Sequence, residues 1–131
     1  MALILPIHND IRDTRDATAI AKNLGIRTRI IDLNRVYNNL IKVLPAANKL
    51  SKANLKPRLR MLVIYYFANK LNYLVCGTSN KSEIMTGYFT KYGDGAADIL
   101  PIGGLFKKQV KFLAKELGLP RQIIFKPASA G

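Results

Sequence analysis

"YLVCGTSNKSE", residues 73–83, is the stretch on which the fold turns. Its first four residues are apolar or aromatic and stop at Gly77, the pattern of a short buried strand closed by a turn residue. Asn80 then stands three residues ahead of Glu83, the spacing of a capping box at a helix start. Strand, glycine, helix is the grammar of an α/β fold, in which ligands gather where strands end.

Outward from this stretch the same alternation continues. Residues 2–7, "ALILPI", form a short apolar run ending near Pro6 and predict a buried strand. Residues 12–24 predict a helix with Ala17, Ile20, Ala21 and Leu24 on one face and Gly25 as its stop. "RTRIIDL", residues 27–33, predicts a second strand, and residues 34–44 a helix ended by Pro45. Residues 46–53 read as a small polar loop. Asn54 is expected to cap a long helix to about Asn72, with Pro57 tolerated in its first turn. Residues 98–102, "DILPI", predict another short strand, and residues 105–117 an amphipathic helix stopped by Gly118 and Pro120. The fold class is therefore α/β, with a parallel sheet flanked by helices in a single domain spanning residues 1–131.

Composition bounds the function classes. At 131 residues, 49% apolar and 22% charged, the chain is globular. The longest apolar run, residues 61–68, is too short to cross a bilayer, so no membrane partner is expected. No signal peptide is recognisable, and a single cysteine, Cys76, suits a reducing cytoplasm. A net charge of +13 points to an anionic partner or to a merely solubilised surface. A nucleic-acid-binding module would need a cation stripe with stacking residues, and the cations here are spread along the chain. His8 lacks partners at metal spacing and reads as a loop histidine.

Against that basic background, residues 77–98 hold four of the nine glycines and three of the eight carboxylates. Glu83 has two readings: it caps its own helix, or it sits by a phosphate site with a divalent cation such as Mg²⁺ between. "KYGDG", residues 91–95, reads as a turn whose glycines supply positive φ. Tyr88, Phe89 and Tyr92 suit either ring stacking or plain packing. Lys107 falls in the first turn of its helix, where the dipole disfavours a cation unless an anion answers it. The alternative is a solvated row of Lys107, Lys111 and Lys115, with Phe106, Val110, Leu113 and Leu117 as the buried face. The centre of the long helix, "MLVIYYFA", is apolar all round. That predicts burial on two sides, by its own sheet and by a second subunit. Arg58 and Arg60 at its start bind anions or simply flank the run.

Taken in order, "NLKPRLRM", "LVCGTSNKSE", "GYFTKYGDGAADILPI", "GLFKKQV" and "KPASAG" resemble the motifs of ammonia-dependent NAD synthetases, within the N-type ATP pyrophosphatase superfamily. The resemblance covers nearly the whole chain and is strongest from Asn54 onward. It implies a Rossmann-like, adenine-nucleotide alpha-hydrolase-like fold and ATP-dependent amidation of deamido-NAD with ammonia through an adenylate. It further implies that Thr78, Lys107 and Ser129 contact ATP, that Glu83 holds Mg²⁺, and that Arg58, Lys91 and Asp98 contact deamido-NAD. Asp94 matches an acid near the incoming ammonia, where it would orient ammonium or accept a proton. A cytoplasmic homodimer is implied as well. The family reads K-P-[ST]-A where Ala128 precedes Ser129 here.

The family's opening strand and its S-G-G-x-D-S pyrophosphate loop have no counterpart in these residues, nor does its C-terminal segment. The resemblance places the absent strand between the two formed by residues 2–7 and 73–77. Either those two strands pair directly or another chain completes the sheet, and the isolated chain is expected to show little or no synthetase activity. A non-catalytic nucleotide-binding remnant is the alternative reading.

Overall fold

The computed structural model describes residues 1–126, which fall into two compact units, residues 1–56 and the residues from Pro57 onward. The first unit is built on a parallel strand pair. β1 (Ala2–Ile4) lies beside β2 (Thr28–Ile30) in the register Ala2 to Thr28, Leu3 to Arg29 and Ile4 to Ile30. Between them runs α1 (Ile11–Asn23), packed on β1, as a parallel crossover requires. Leu5 and Ile7, just past β1, are buried, and Ile7 is 0% exposed, so the apolar run "ALILPI" supplies this unit's core. α2 (Asn34–Val43) follows, then α3 (Lys49–Ala53).

The second unit contains α4 (Leu55–Leu71, its first two residues belonging to the first unit), α5 (Lys81–Thr86), α6 (Lys107–Glu116) and α7 (Arg121–Ile124). Residues 73–77 and 98–102 do not form strands, and Pro101 and Ile102 already lie in a turn. They meet in a single parallel bridge, Cys76 to Ile99, supported by Gly77 N–H donating to the Ile99 carbonyl at 2.8 Å. The reason is visible at Asp98. Its Oδ2 accepts the Val75 N–H at 2.7 Å, taking a donor that a longer ladder would use.

Helix ends follow the sequence closely. Gly25, at φ +63°, closes α1: its N–H reaches the Lys22 carbonyl and the Ile26 N–H reaches Ala21, a Schellman motif. Gly118 closes α6 in the same way, and Asn72, at φ +53°, takes the left-handed position after α4.

Several expectations are corrected. Residues 46–53 are not all loop, because Asn48 caps α3 by accepting the Ser51 N–H at 2.8 Å and Lys, Leu and Ala then carry the helix. Asn54 is consequently helical (φ −68°, ψ −10°) instead of an extended cap. β1 takes β2 as its ladder partner, and Cys76 takes Ile99. On α4 Leu62 and Tyr66, one turn apart, are exposed in the single chain, the side for which a second subunit was expected. The apolar face of α6 is likewise open, with Phe106, Leu113 and Leu117 exposed. Among the described residues no helix is long and apolar enough to cross a membrane.

Candidate functional site

Two constellations in the second unit concentrate polar chemistry. The first is made by two helix starts. Asn80 accepts the Glu83 N–H at 3.1 Å, and Glu83 Oε2 accepts the Asn80 N–H at 3.0 Å, completing the capping box of α5. Glu83 Oε1 remains, and it accepts from Lys107 Nζ at 3.0 Å. The backbone of Lys107 donates to Ser82 Oγ at 3.1 Å, and Lys81 N–H donates to the Leu105 carbonyl at 2.8 Å, so the starts of α5 and α6 are laced together. One oxygen of Glu83 therefore caps its own helix, as the first of the two readings expected, and the other answers a lysine.

Electrostatics keeps this carboxylate charged. Burial pushes the Glu83 carboxyl up, but the Asn80 N–H and the Lys107 ammonium together outweigh it and hold the group below its ordinary range. Lys107, at the first position of α6, is answered by an anion as its placement required. The pair is not sealed, the Lys107 side chain being 48% exposed, so an incoming phosphate can compete for the ammonium.

The second constellation is a cavity of about 180 Å³. α4 lines it with Pro57, Arg60, Met61, Ile64 and Tyr65, one helix face at i, i+3, i+4, i+7 and i+8. Val75, Cys76 and Thr78, ahead of α5, form another wall, and Asp94 a third. Arg60 is half-buried; desolvation draws its guanidinium below the ordinary value while the charge of Asp94 pulls it back. Asp94 Oδ1 accepts the Thr90 N–H at 2.9 Å, which folds residues 90–94 into a turn.

The glycines here do a different job from the one expected of them. Neither Gly93 nor Gly95 has positive φ; Tyr92 holds that conformation at +58°. A Cβ on Gly93 would sit 3.0 Å from Pro57 Cβ, and one on Gly95 only 2.4 Å from Phe89 Cδ2. At Gly77 a Cβ would meet Ala97 and Leu100 side chains at 2.6 Å. At Gly77 and Gly95 a side chain fits only if its neighbours shift, and at Gly93 they would have to give by a few tenths of an ångström.

The remaining site residues from the sequence are placed as follows. Arg58 Nε donates to the Lys91 carbonyl at 3.2 Å, so these two are brought together, and Lys91 Nζ lies 5.0 Å from the Tyr92 ring centroid. Asp98 has both oxygens engaged by protein, Oδ2 by Val75 N–H and Oδ1 by the Tyr65 hydroxyl at 3.2 Å. It clamps α4 to Val75. Ser129 lies outside the described residues. His8 is tied to α2, its Nε2 2.9 Å from Asn38 Oδ1, and sits with a loop role. Tyr65 was not singled out from the sequence, and Arg60 was offered only as one of two arginines that bind anions or flank the apolar run. Arg60's signal was a single charge on an otherwise apolar helical face.

Among the described residues no three His, Cys, Asp or Glu side chains gather as a metal site. Glu83 offers one hard oxygen ligand. That donor set fits a divalent cation arriving with phosphate oxygens and water, not one held by protein alone.

Comparison with known proteins bears on the whole chain. The family model described as NAD synthase matches residues 1–131. The NH(3)-dependent NAD(+) synthetase of Malacoplasma penetrans is 47% identical over 131 residues, covering 100% of this chain and 54% of that protein. Among solved structures, NMN synthetase from Francisella tularensis superposes with a TM-score of 0.92 at 41% identity, covering 98% of this chain and 55% of that one. NH3-dependent NAD synthetase from Campylobacter jejuni superposes with a TM-score of 0.87 at 34% identity, covering 95% of this chain and 54% of that one. The chain thus spans about half the length of the curated relatives it matches.

Proposed function

Because this chain belongs to the NAD synthase family, we propose that residues 1–131 are part of one ammonia-dependent NAD synthetase domain and carry part of its nucleotide site. The observation that carries this reading is the contact between Glu83 and Lys107, 24 residues apart in sequence and 3.0 Å apart in space.

In the proposed reaction the nicotinate carboxylate of deamido-NAD attacks the α-phosphorus of ATP. The bond to pyrophosphate breaks, leaving an acyl adenylate. The ammonia nitrogen then attacks the acyl carbon, AMP leaves with the carbon–oxygen bonding pair, and nitrogen gives up a proton to yield the amide. Both substrates are polyanions, so the protein's contribution is placement and charge neutralisation. Lys107 takes phosphate oxygens and Thr78 a further ATP contact. Glu83 would hold Mg²⁺, which supplies charge neutralisation on the phosphates when bound. Ser129 is assigned to ATP, Arg58 and Lys91 to deamido-NAD, and Asp94 to orienting ammonium or receiving its proton. For Asp98 the clamp between Tyr65 and Val75 supports a positioning role beside any substrate contact.

A second reading, amidation of the corresponding mononucleotide, is favoured by the likeness to NMN synthetase from Francisella tularensis. The exposed Leu62 and Tyr66 on α4 support a homodimer. A cytoplasmic protein is the corresponding proposal for location.

The test is to supply the 131-residue chain with ATP, Mg²⁺, ammonia and either deamido-NAD or nicotinate mononucleotide. Binding of Mg-ATP with little amide formed is expected, since no S-G-G-x-D-S loop is present in these residues. No Mg-ATP binding would overturn the site assignment, and amide formation at a rate typical of a full-length enzyme would overturn the expected inactivity.

A further inference from the structure

Lys81 opens α5 at a position where the helix dipole disfavours a cation, as Lys107 opens α6. Lys107 is answered by Glu83, and Lys81 is not. We propose that Lys81 is a second phosphate-binding residue at the junction of these two helix starts. Its ligand is a polyphosphate, the part of ATP that departs as pyrophosphate, and it sets a preference for triphosphate over monophosphate.

Lys81 is seated at both of its ends. Its backbone N–H donates to the Leu105 carbonyl at 2.8 Å, and its ammonium lies 4.7 Å from the centroid of the Phe106 ring. Phe106 directly precedes Lys107, whose own N–H donates to Ser82 Oγ at 3.1 Å. These crossed backbone contacts fix the roots of Lys81 and Lys107 at one place. Charge there does not balance. Lys81, Lys107 and Lys108 supply cations, α6 carries no acid in its first turn, and Glu83 is the one carboxylate of α5. Glu83 is already engaged, with one oxygen on the Asn80 N–H and the other on Lys107. Among the described residues Lys81 makes no ion pair, and its counter-group is the ring of Phe106. An ammonium resting on a half-open ring is weakly held beside a charge-assisted bond to a phosphate oxygen. Its flexible stem lets it turn from one to the other.

This rests on the amidation reading and deepens it. A single phosphate is answered by Lys107, whereas a chain of phosphates presents further oxygens, and Lys81 is the next cation fixed at the junction. When the bond from the α-phosphorus to the bridging oxygen breaks, its electron pair leaves with pyrophosphate. A cation held beside that group neutralises the charge as it develops.

Inorganic pyrophosphate, ATP and AMP, each with Mg²⁺, are the probes in calorimetric titrations of the 131-residue chain at one ionic strength. Pyrophosphate and ATP should bind more tightly than AMP. Lys81→Met keeps the stem and removes the charge; it should weaken pyrophosphate and ATP by about fivefold and AMP by less than about twofold. Lys81→Arg keeps the charge and should restore most of the preference. Lys115→Met removes the same charge from the last turn of α6 and should change none of the three affinities. An unchanged preference in Lys81→Met, equal weakening of all three ligands, no rescue by Lys81→Arg, or the same effect from Lys115→Met would overturn the proposal. A readout on the native chain stands even if Lys81→Met does not fold. Saturating pyrophosphate should slow acetylation of Lys81 by acetic anhydride, followed by peptide mass, and AMP should not; equal acetylation with and without pyrophosphate decides against it. Lys107→Ala separates the two failures. If Mg-ATP binding depends on Lys107 and is indifferent to Lys81, only the assignment of Lys81 falls; if the native chain binds neither ATP nor pyrophosphate, the amidation reading falls with it.

Discussion

Residues 1–56 and the residues from Pro57 onward use the same two devices for different ends. In the first unit Asp10 caps α1, and its nearest cation is Arg12, two residues on, at the surface. In the second unit Glu83 caps α5, and its cation is Lys107, drawn from the start of another helix. A cap closed by a sequence neighbour acts on its own helix start. A cap closed by a distant lysine fixes two helix starts against each other. Glycine shows the same division. Gly25 has open space around it and serves by its positive φ, whereas Gly77 has ordinary φ and serves by having no Cβ.

The glycine contrast gives the largest expected effect. Gly77→Ala should cost about 1–3 kcal/mol through overpacking against Ala97 and Leu100. Gly77→Asn should be at least as harmful. At Gly25 the order reverses: asparagine, which tolerates the left-handed region, should be milder than alanine. Denaturant midpoints of the four variants check this, and an asparagine at position 77 tolerated as well as one at 25 would break the distinction.

A smaller effect is expected at the caps. Glu83→Ala should cost about 0.5–2 kcal/mol, the range for a lost helix cap. A double-mutant cycle between Glu83 and Lys107 should yield coupling of about 0.2–1 kcal/mol, since the pair is partly open to water. The same cycle at Asp10 and Arg12 should give no measurable coupling. Similar values for both pairs would erase the comparison.

Acidity sharpens it further. The Glu83 carboxyl is held below its ordinary value of 4.5. A depressed folded-state pKa contributes stability above the unfolded value and loses it as pH falls through the folded one. The stability difference between the native chain and Glu83→Gln should therefore be flat at neutral pH and shrink below about pH 4.5. A difference that grows on acidification would contradict the assigned interactions.

How much of this was legible in the sequence depends on the range of the interaction. α1, α2, the capping box of α5 and the Gly25 and Gly118 stops rest on contacts within a few residues, and local pattern finds them. α3 was missed because its polar composition masks good helix propensity. Residues 73–77 read as a strand from their apolar run, yet Asp98 intercepts the Val75 N–H from far along the chain. No window around either segment contains that information. In the site, Lys107 announced itself by a cation at the wrong end of a helix dipole. Gly93 and Gly95 were recognisable as turn residues, but their crowding by Pro57 and Phe89 is a tertiary fact. Arg60 became meaningful only once its helical face was seen to line a cavity.

The central claim is that Glu83 and Lys107 form a place for metal-bound phosphates, and Mg²⁺-dependent ATP binding tests it most directly. Calorimetric titration of the 131-residue chain should show ATP binding with Mg²⁺ present, loss of most of that affinity in Lys107→Ala and Glu83→Gln, and no binding of Mg²⁺ alone. ATP binding that is indifferent to Mg²⁺ and unchanged in both variants would contradict the account.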